Sequence, residues 1–120
     1  MRGMEPLVFT EVAEPTGTAS PLNGGQAALF SARSPDKPSP NEDAAAVVPV
    51  NEHAAVLVVA DGLGGSPAGQ RASALAVEQV VAAVRGAAPD EPNLRAAVLN
   101  GIENANRAIA DLGVGAASTL

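Results

Sequence analysis

Apolar residues cluster into two short β-branched-rich runs, Ala44 to Val50 and Val56 to Ala60, separated by the polar triplet Asn51-Glu52-His53. Runs of this length read as buried strands rather than helices, and the polar triplet reads as the turn of a hairpin. The second run stops at Asp61-Gly62. Beyond it, Pro67 to Arg85 has a helical period, with Ala72, Ala76, Val80 and Val84 on a packing face that Leu75, Val77 and Val81 widen. Arg71, Glu78 and Arg85 fall seven apart on the opposite, solvent-facing stripe. After the turn Pro89-Asp90-Glu91-Pro92, with its acidic helix start, the positions Leu94, Val98, Ile102, Ala105, Ile109 and Leu112 predict a second amphipathic helix ending at Gly113. Glu103 and Arg107 are spaced to pair on its outer face. Gly115 to Leu120 begins another strand.

The first 40 residues are rich in Pro, Gly, Ser and Thr, and only Leu7 to Val12 and Gln26 to Ala32 have strand character. The pattern predicts that these two pair, with Pro15 to Gly25 as the joining loop. Ser34 to Pro40 holds three prolines in seven residues and reads as an extended surface loop delivering Asn41-Glu42-Asp43. The expected organisation is residues 1–30 as N-terminal strands and loop and residues 31–120 as the main folded part. No internal repeat is present.

Composition narrows the classes of partner. Of 120 residues 47% are hydrophobic, enough for a core, but only 2% are aromatic, so that core rests on Ala, Val, Leu and Ile. A net charge of −6 would repel a nucleic-acid backbone, and no polybasic patch or long apolar segment addresses a membrane. The expectation is no nucleic acid, no membrane and a cytoplasmic location. Cysteine is absent, which excludes a disulfide framework.

Chemistry concentrates at Asp61. A carboxylate at the end of a buried strand is costly unless it is paired or holds a cation, and hard divalent cations favour oxygen ligands. Gly62, Gly64 and Gly65 let the following backbone turn tightly and present its carbonyls. The hairpin adds a second carboxylate, because Asp43 enters its first strand as Asp61 leaves the second, and antiparallel pairing returns both to one end. A strand, glycine turn and helix also describe a dinucleotide site. There, however, the third glycine of the fingerprint falls at Pro67, and Asp61 would repel a pyrophosphate. Asp-Gly alone would call for nothing more than a turn; the Asn-Glu-Asp cluster one hairpin away shifts the reading to a metal site. His53 sits in the turn and reads as an exposed loop residue.

The segments SPNEDAAAVVP, VLVVADGLGGSPAGQRAS and GAASTL together resemble the N-terminal half of the metal-dependent Ser/Thr protein phosphatases of the PPM (type 2C) family, from about Ser31 to Leu120. The resemblance implies an α+β fold, a four-layer α/β/β/α sandwich of two antiparallel sheets flanked by helix pairs, with only the N-terminal half in this chain. It implies two Mg²⁺ or Mn²⁺ ions, with Asp61 bridging both, the Gly62 carbonyl ligating one, and Glu42 and Asp43 holding metal-bound waters or completing the shell. Asp43 and Asp61 are the implied catalytic residues, and the implied reaction is direct attack of a metal-bridging hydroxide on the phosphorus of a phosphorylated protein substrate.

The chain departs from the family in two respects. Pro38 stands five residues before Asp43, where the family places a phosphate-binding arginine, leaving Arg33 or Lys37 as substitutes. The family's later metal aspartates have no counterpart, since Asp90 lies in a Pro-rich turn and Asp111 on a helix face. The expectation is therefore a fragment of a longer phosphatase domain. The alternatives are a non-catalytic regulatory module that kept the phosphatase fold, and a nucleotide-binding domain.

Overall fold

The structure, a computed structural model, describes residues 5–22, 24–36, 38–63, 68–87 and 93–120. Lys37, the glycines at 64 and 65, Pro67 and the turn at 89–92 lie outside the described residues. Along the chain run β1 (Leu7–Phe9), β2 (Thr16–Leu22), β3 (Gly25–Ser31), β4 (Asp43–Pro49), β5 (Ala55–Leu63), α1 (Ala68–Arg85), α2 (Leu94–Ala110) and β6 (Ala117–Ser118).

The central hairpin forms as its alternation dictates. β4 and β5 pair antiparallel from Asp43 opposite Asp61 to Pro49 opposite Ala55. Asn51 shapes the turn by accepting the His53 backbone N–H on Oδ1, and His53 is exposed. Successive strand residues point to opposite faces. On β5, Val58, Ala60 and Gly62 are buried, while Leu57, Val59, Asp61 and Leu63 are exposed on the other face. The buried face, with Ala44, Ala46 and Val48 of β4, meets Ala76, Val77, Val80, Val81 and Val84 of α1 in the main core. Small side chains on both surfaces bring helix and sheet close, and Ala60, Ala72 and Val77 are entirely sealed from water. Arg71, Glu78 and Arg85 are exposed as expected, with Arg71 3.8 Å from Glu78.

The fold is mixed α+β, with a four-stranded sheet in the order β1-β4-β5-β6, a separate two-stranded sheet β2-β3 and two helices. Among the described residues no helix is long and apolar enough to cross a membrane.

Three expectations are corrected. β1 pairs with β4, not with the Gln26–Ala32 segment, and most of the expected loop from Pro15 to Gly25 is strand β2, which pairs with β3 along its whole length. The cause is the Asn-Gly dipeptide at 23 and 24. Leu22 pairs with Gly25 across it, and Gly24 adopts φ +80°, a conformation the tight hairpin turn requires and glycine supplies freely. Secondly, Asp61 does not end its strand. β6 returns antiparallel beside β5, with Gly62 opposite Ser118 and Leu63 opposite Ala117, and this pairing carries β5 two residues further. Thirdly, of the expected stripe on α2, Leu94, Val98 and Ile109 pack half-buried on the core and Ala105 is buried in it, but Ile102 is exposed, and the fully buried positions are the small residues Ala97, Gly101 and Ala105. A Cβ on Gly101 would lie 2.8 Å from Val80 Cα, so the two helices touch backbone to backbone. Arg107 donates to Asn104 Oδ1 instead of meeting Glu103.

Candidate metal centre and active site

Asp43 and Asp61 are direct cross-strand partners at the open end of the β4–β5 hairpin. Directly opposed side chains on one face of a sheet lie within reach of one another, and like charges so placed repel. The Asp43 carboxyl is pushed above the usual carboxylate range. Partial withdrawal from water is the largest cause, although the residue as a whole is exposed. The proximity of the Asp61 carboxyl and the charge of Glu42 follow.

The pair is held from three sides. From β6, Thr119 donates its backbone N–H to the Asp61 carbonyl at 3.0 Å and accepts the Asp61 N–H on Oγ1 at 2.9 Å, while the Ser118 hydroxyl donates to the same carbonyl at 3.4 Å. From the approach to β4, Asn41 is buried at 5% exposure and accepts the Asp43 N–H on Oδ1 at 3.0 Å. Its Nδ2 donates to Ser31 Oγ at 2.8 Å, tying the end of β3 to the start of β4. From Glu42, the main-chain carbonyl accepts the Gly62 N–H at 2.8 Å. The sequence marked Asn41 and the terminal Thr-Leu only as parts of motifs; their roles as brackets for Asp43 and Asp61 depend on pairings across 10 and 58 residues.

Glu42 is placed differently from the two aspartates. Its Oε2 is buried without a hydrogen-bond partner and rests where a Cβ on Gly69 of α1 would stand. Among the described residues no group of three or more His, Cys, Asp or Glu gathers closely enough to hold a metal ion. Asp43 and Asp61 remain as a pair of hard oxygen donors whose mutual repulsion a divalent cation would relieve, and an orphaned carboxylate oxygen lies nearby. In that respect the residues present fit a hard cation.

A cleft of about 330 Å³ opens on the pair, with Ser34, Ser39, Asn41 and Glu42 among its walls. Arg33 is exposed and lines a neighbouring cleft with Glu14, Pro38 and Gln70; the two clefts share Pro40 and Asn41. Asp111 caps the C-terminus of α2; its backbone N–H donates to the Arg107 carbonyl, and that of Leu112 to the Ile109 carbonyl. Asp90 lies outside the described residues.

A family model described as Protein phosphatase 2C matches residues 34–117. That span takes in Asn41 to Asp43, the β4–β5 hairpin, both helices and the first residue of β6. No curated protein and no solved structure matches the chain.

Proposed function

Because the chain belongs to the protein phosphatase 2C family, we propose that it carries part of the catalytic site of a metal-dependent protein serine/threonine phosphatase. The supporting observation is the Asp43–Asp61 pair, two carboxyls opposed across a hairpin within the span of the family match. Divalent cations, Mg²⁺ or Mn²⁺, would lower the pKa of water and offset charge on the phosphoryl oxygens of a phosphoserine or phosphothreonine. Asp61 and Asp43 are the proposed carboxylate donors, with the Gly62 carbonyl beside them. Thr119 and Asn41 fix the backbone on which these donors sit, so little reorganisation accompanies cation entry. No residue of this site needs to become a covalent nucleophile, in keeping with the absence of cysteine.

The proposed setting is a four-layer α/β/β/α sandwich, in which a second sheet covers the face of β5 that carries Leu57 and Val59. Further cation ligands are proposed to lie beyond Leu120. The test is Mn²⁺-dependent hydrolysis of a phosphothreonine peptide by a form extended past Leu120, compared with its Asp61→Asn variant. The expected result is a loss of at least roughly 100-fold in turnover with the fold retained, since an anionic donor becomes neutral. Near-wild-type turnover in the variant would overturn the assignment.

A further inference from the structure

Two glycines mark where the site strand meets the helix. A Cβ on Gly62 would collide with the Gly69 carbonyl group and stand 3.0 Å from the Glu42 carbonyl oxygen, so the β5 and α1 backbones touch with no side chain between them. A Cβ on Gly69 would instead collide with the Glu42 carboxylate, first its Oε2 and then, at 2.8 Å, its Cδ. Glu42 therefore occupies a niche that exists because residue 69 lacks a side chain. Gly69 itself is buried, and no positive φ calls for glycine there. Its steric reason lies in what packs onto it.

The carboxylate in that niche has a second feature. The first turn of α1 holds no acidic residue of its own, and the positive end of a helix dipole favours a negative charge. Glu42 brings one from outside the helix, and the same residue's carbonyl grips the Gly62 N–H at 2.8 Å. One residue thus contacts the strand that carries Asp61 through its main chain and the helix through its side chain.

We propose that Glu42 is a positioning residue that locks β5 to α1, and that Gly69 is the niche that admits its carboxylate. The consequence for cations rests on the proposed site at Asp61 and Gly62, whereas the lock is a matter of packing and can be read without any cation. Emptying or blocking the niche frees the Glu42 side chain and loosens the Gly62 end of β5, and with it the donors on Asp61 and Gly62.

The experiment is a double-mutant cycle of Gly69→Ala and Glu42→Ala, read by thermal melting of the metal-free chain and by calorimetric titration of a form extended past Leu120 with Mn²⁺. In a helix away from positive φ alanine is the better residue, and with the Glu42 carboxylate gone the nearest remaining contact of a Cβ on Gly69 is the Gly62 carbonyl carbon at 3.3 Å, which a shift of a few tenths of an ångström relieves. The expected result is a reversal of sign: Gly69→Ala lowers Tm when Glu42 is present and leaves it unchanged or raises it in the Glu42→Ala background. Mn²⁺ affinity should fall about 10-fold on Gly69→Ala in the wild-type background and change no further in the Glu42→Ala background, as for groups that orient a ligand. An equal cost of Gly69→Ala in both backgrounds, or no cost in either, overturns the lock. If Gly69→Ala does not fold, cooperative melting of the double variant supports the lock and its absence overturns it. Failure of the wild-type form extended past Leu120 to bind Mn²⁺ would count against the proposed metal site, with the Tm reversal still deciding the lock.

Discussion

Asp43 and Asp61 face each other across the β4–β5 pair, with the Asp43 carboxyl raised above its ordinary range. A raised carboxyl binds its proton more tightly in the folded chain than in the unfolded one. Between the two pKa values the folded state holds more protons, so this group's contribution to stability falls as pH rises. The opposed charges therefore cost the metal-free fold more at neutral pH than at acid pH.

Asp43→Asn should accordingly raise the Tm of the metal-free chain at pH 7. At acid pH, where the raised Asp43 carboxyl keeps its proton in the fold more than in the unfolded chain, the gain should shrink. The check is a pair of melting curves at each pH in the presence of a chelator. An Asn variant less stable than wild type at neutral pH would show that the opposed charges do not destabilise the metal-free fold.

Thr119→Val keeps the shape of the side chain and removes the oxygen that accepts the Asp61 N–H. The expected cost is about 1 kcal/mol, the usual worth of one hydrogen bond at a partly solvated position. In a form active on phosphopeptide, turnover should fall with stability largely kept, because the bond lost is on the backbone of the proposed donor. Unchanged turnover would mean that the β5–β6 pairing fixes Asp61 without that hydroxyl.

The hairpin and its two aspartates were legible in the sequence because everything that specifies them is local: two apolar runs, an Asn-led turn and an Asp-Gly ending lie within about twenty residues. The outer strands were not. β2, read TGTASPL, is largely exposed, so it shows no apolar alternation, and its single clear signal was the Asn-Gly turn after it. β1 has three residues, too few to say which strand it joins, and its choice of β4 is made by long-range packing. Similarly, the brackets Asn41–Ser31 and Thr119–Asp61 join segments whose pairing follows from the sheet order. On α2 the large apolar residues drew attention, whereas close approach to α1 selects the small ones.

That close approach is testable at Gly101. A Cβ there would lie 2.8 Å from Val80 Cα and 3.3 Å from the Ala83 Cβ, and backbone atoms cannot yield as a flexible side chain can. Gly101→Ala should destabilise the chain by roughly 1–3 kcal/mol, the range for overpacking a tight contact, despite alanine's better helix propensity. A Tm equal to or above wild type would mean that α2 shifts on α1 at no cost.

Arg33 supplies the last prediction, since Pro38 stands where the family resemblance places an arginine. Arg33 lines a cleft beside the aspartate pair, and Pro40 and Asn41 form the shared wall. From that cleft the Arg33 guanidinium is proposed to hold a phosphate or a flanking part of a phosphopeptide without touching the oxygens that gain charge during reaction. Such a contact is equally strong before and during the reaction. Its removal therefore raises KM and leaves kcat nearly unchanged, whereas a contact made only in the transition state lowers kcat and kcat/KM together. For Arg33→Ala in a form extended past Leu120, the expected result is a KM increase of about 10-fold with kcat within about 2-fold of wild type. Arg33→Lys should recover only part of the loss, because an ammonium cannot reproduce the two-pronged grip of a guanidinium on phosphate. A parallel fall in kcat and kcat/KM would place Arg33 at the reacting phosphoryl group, and no change in either would remove it from the substrate path.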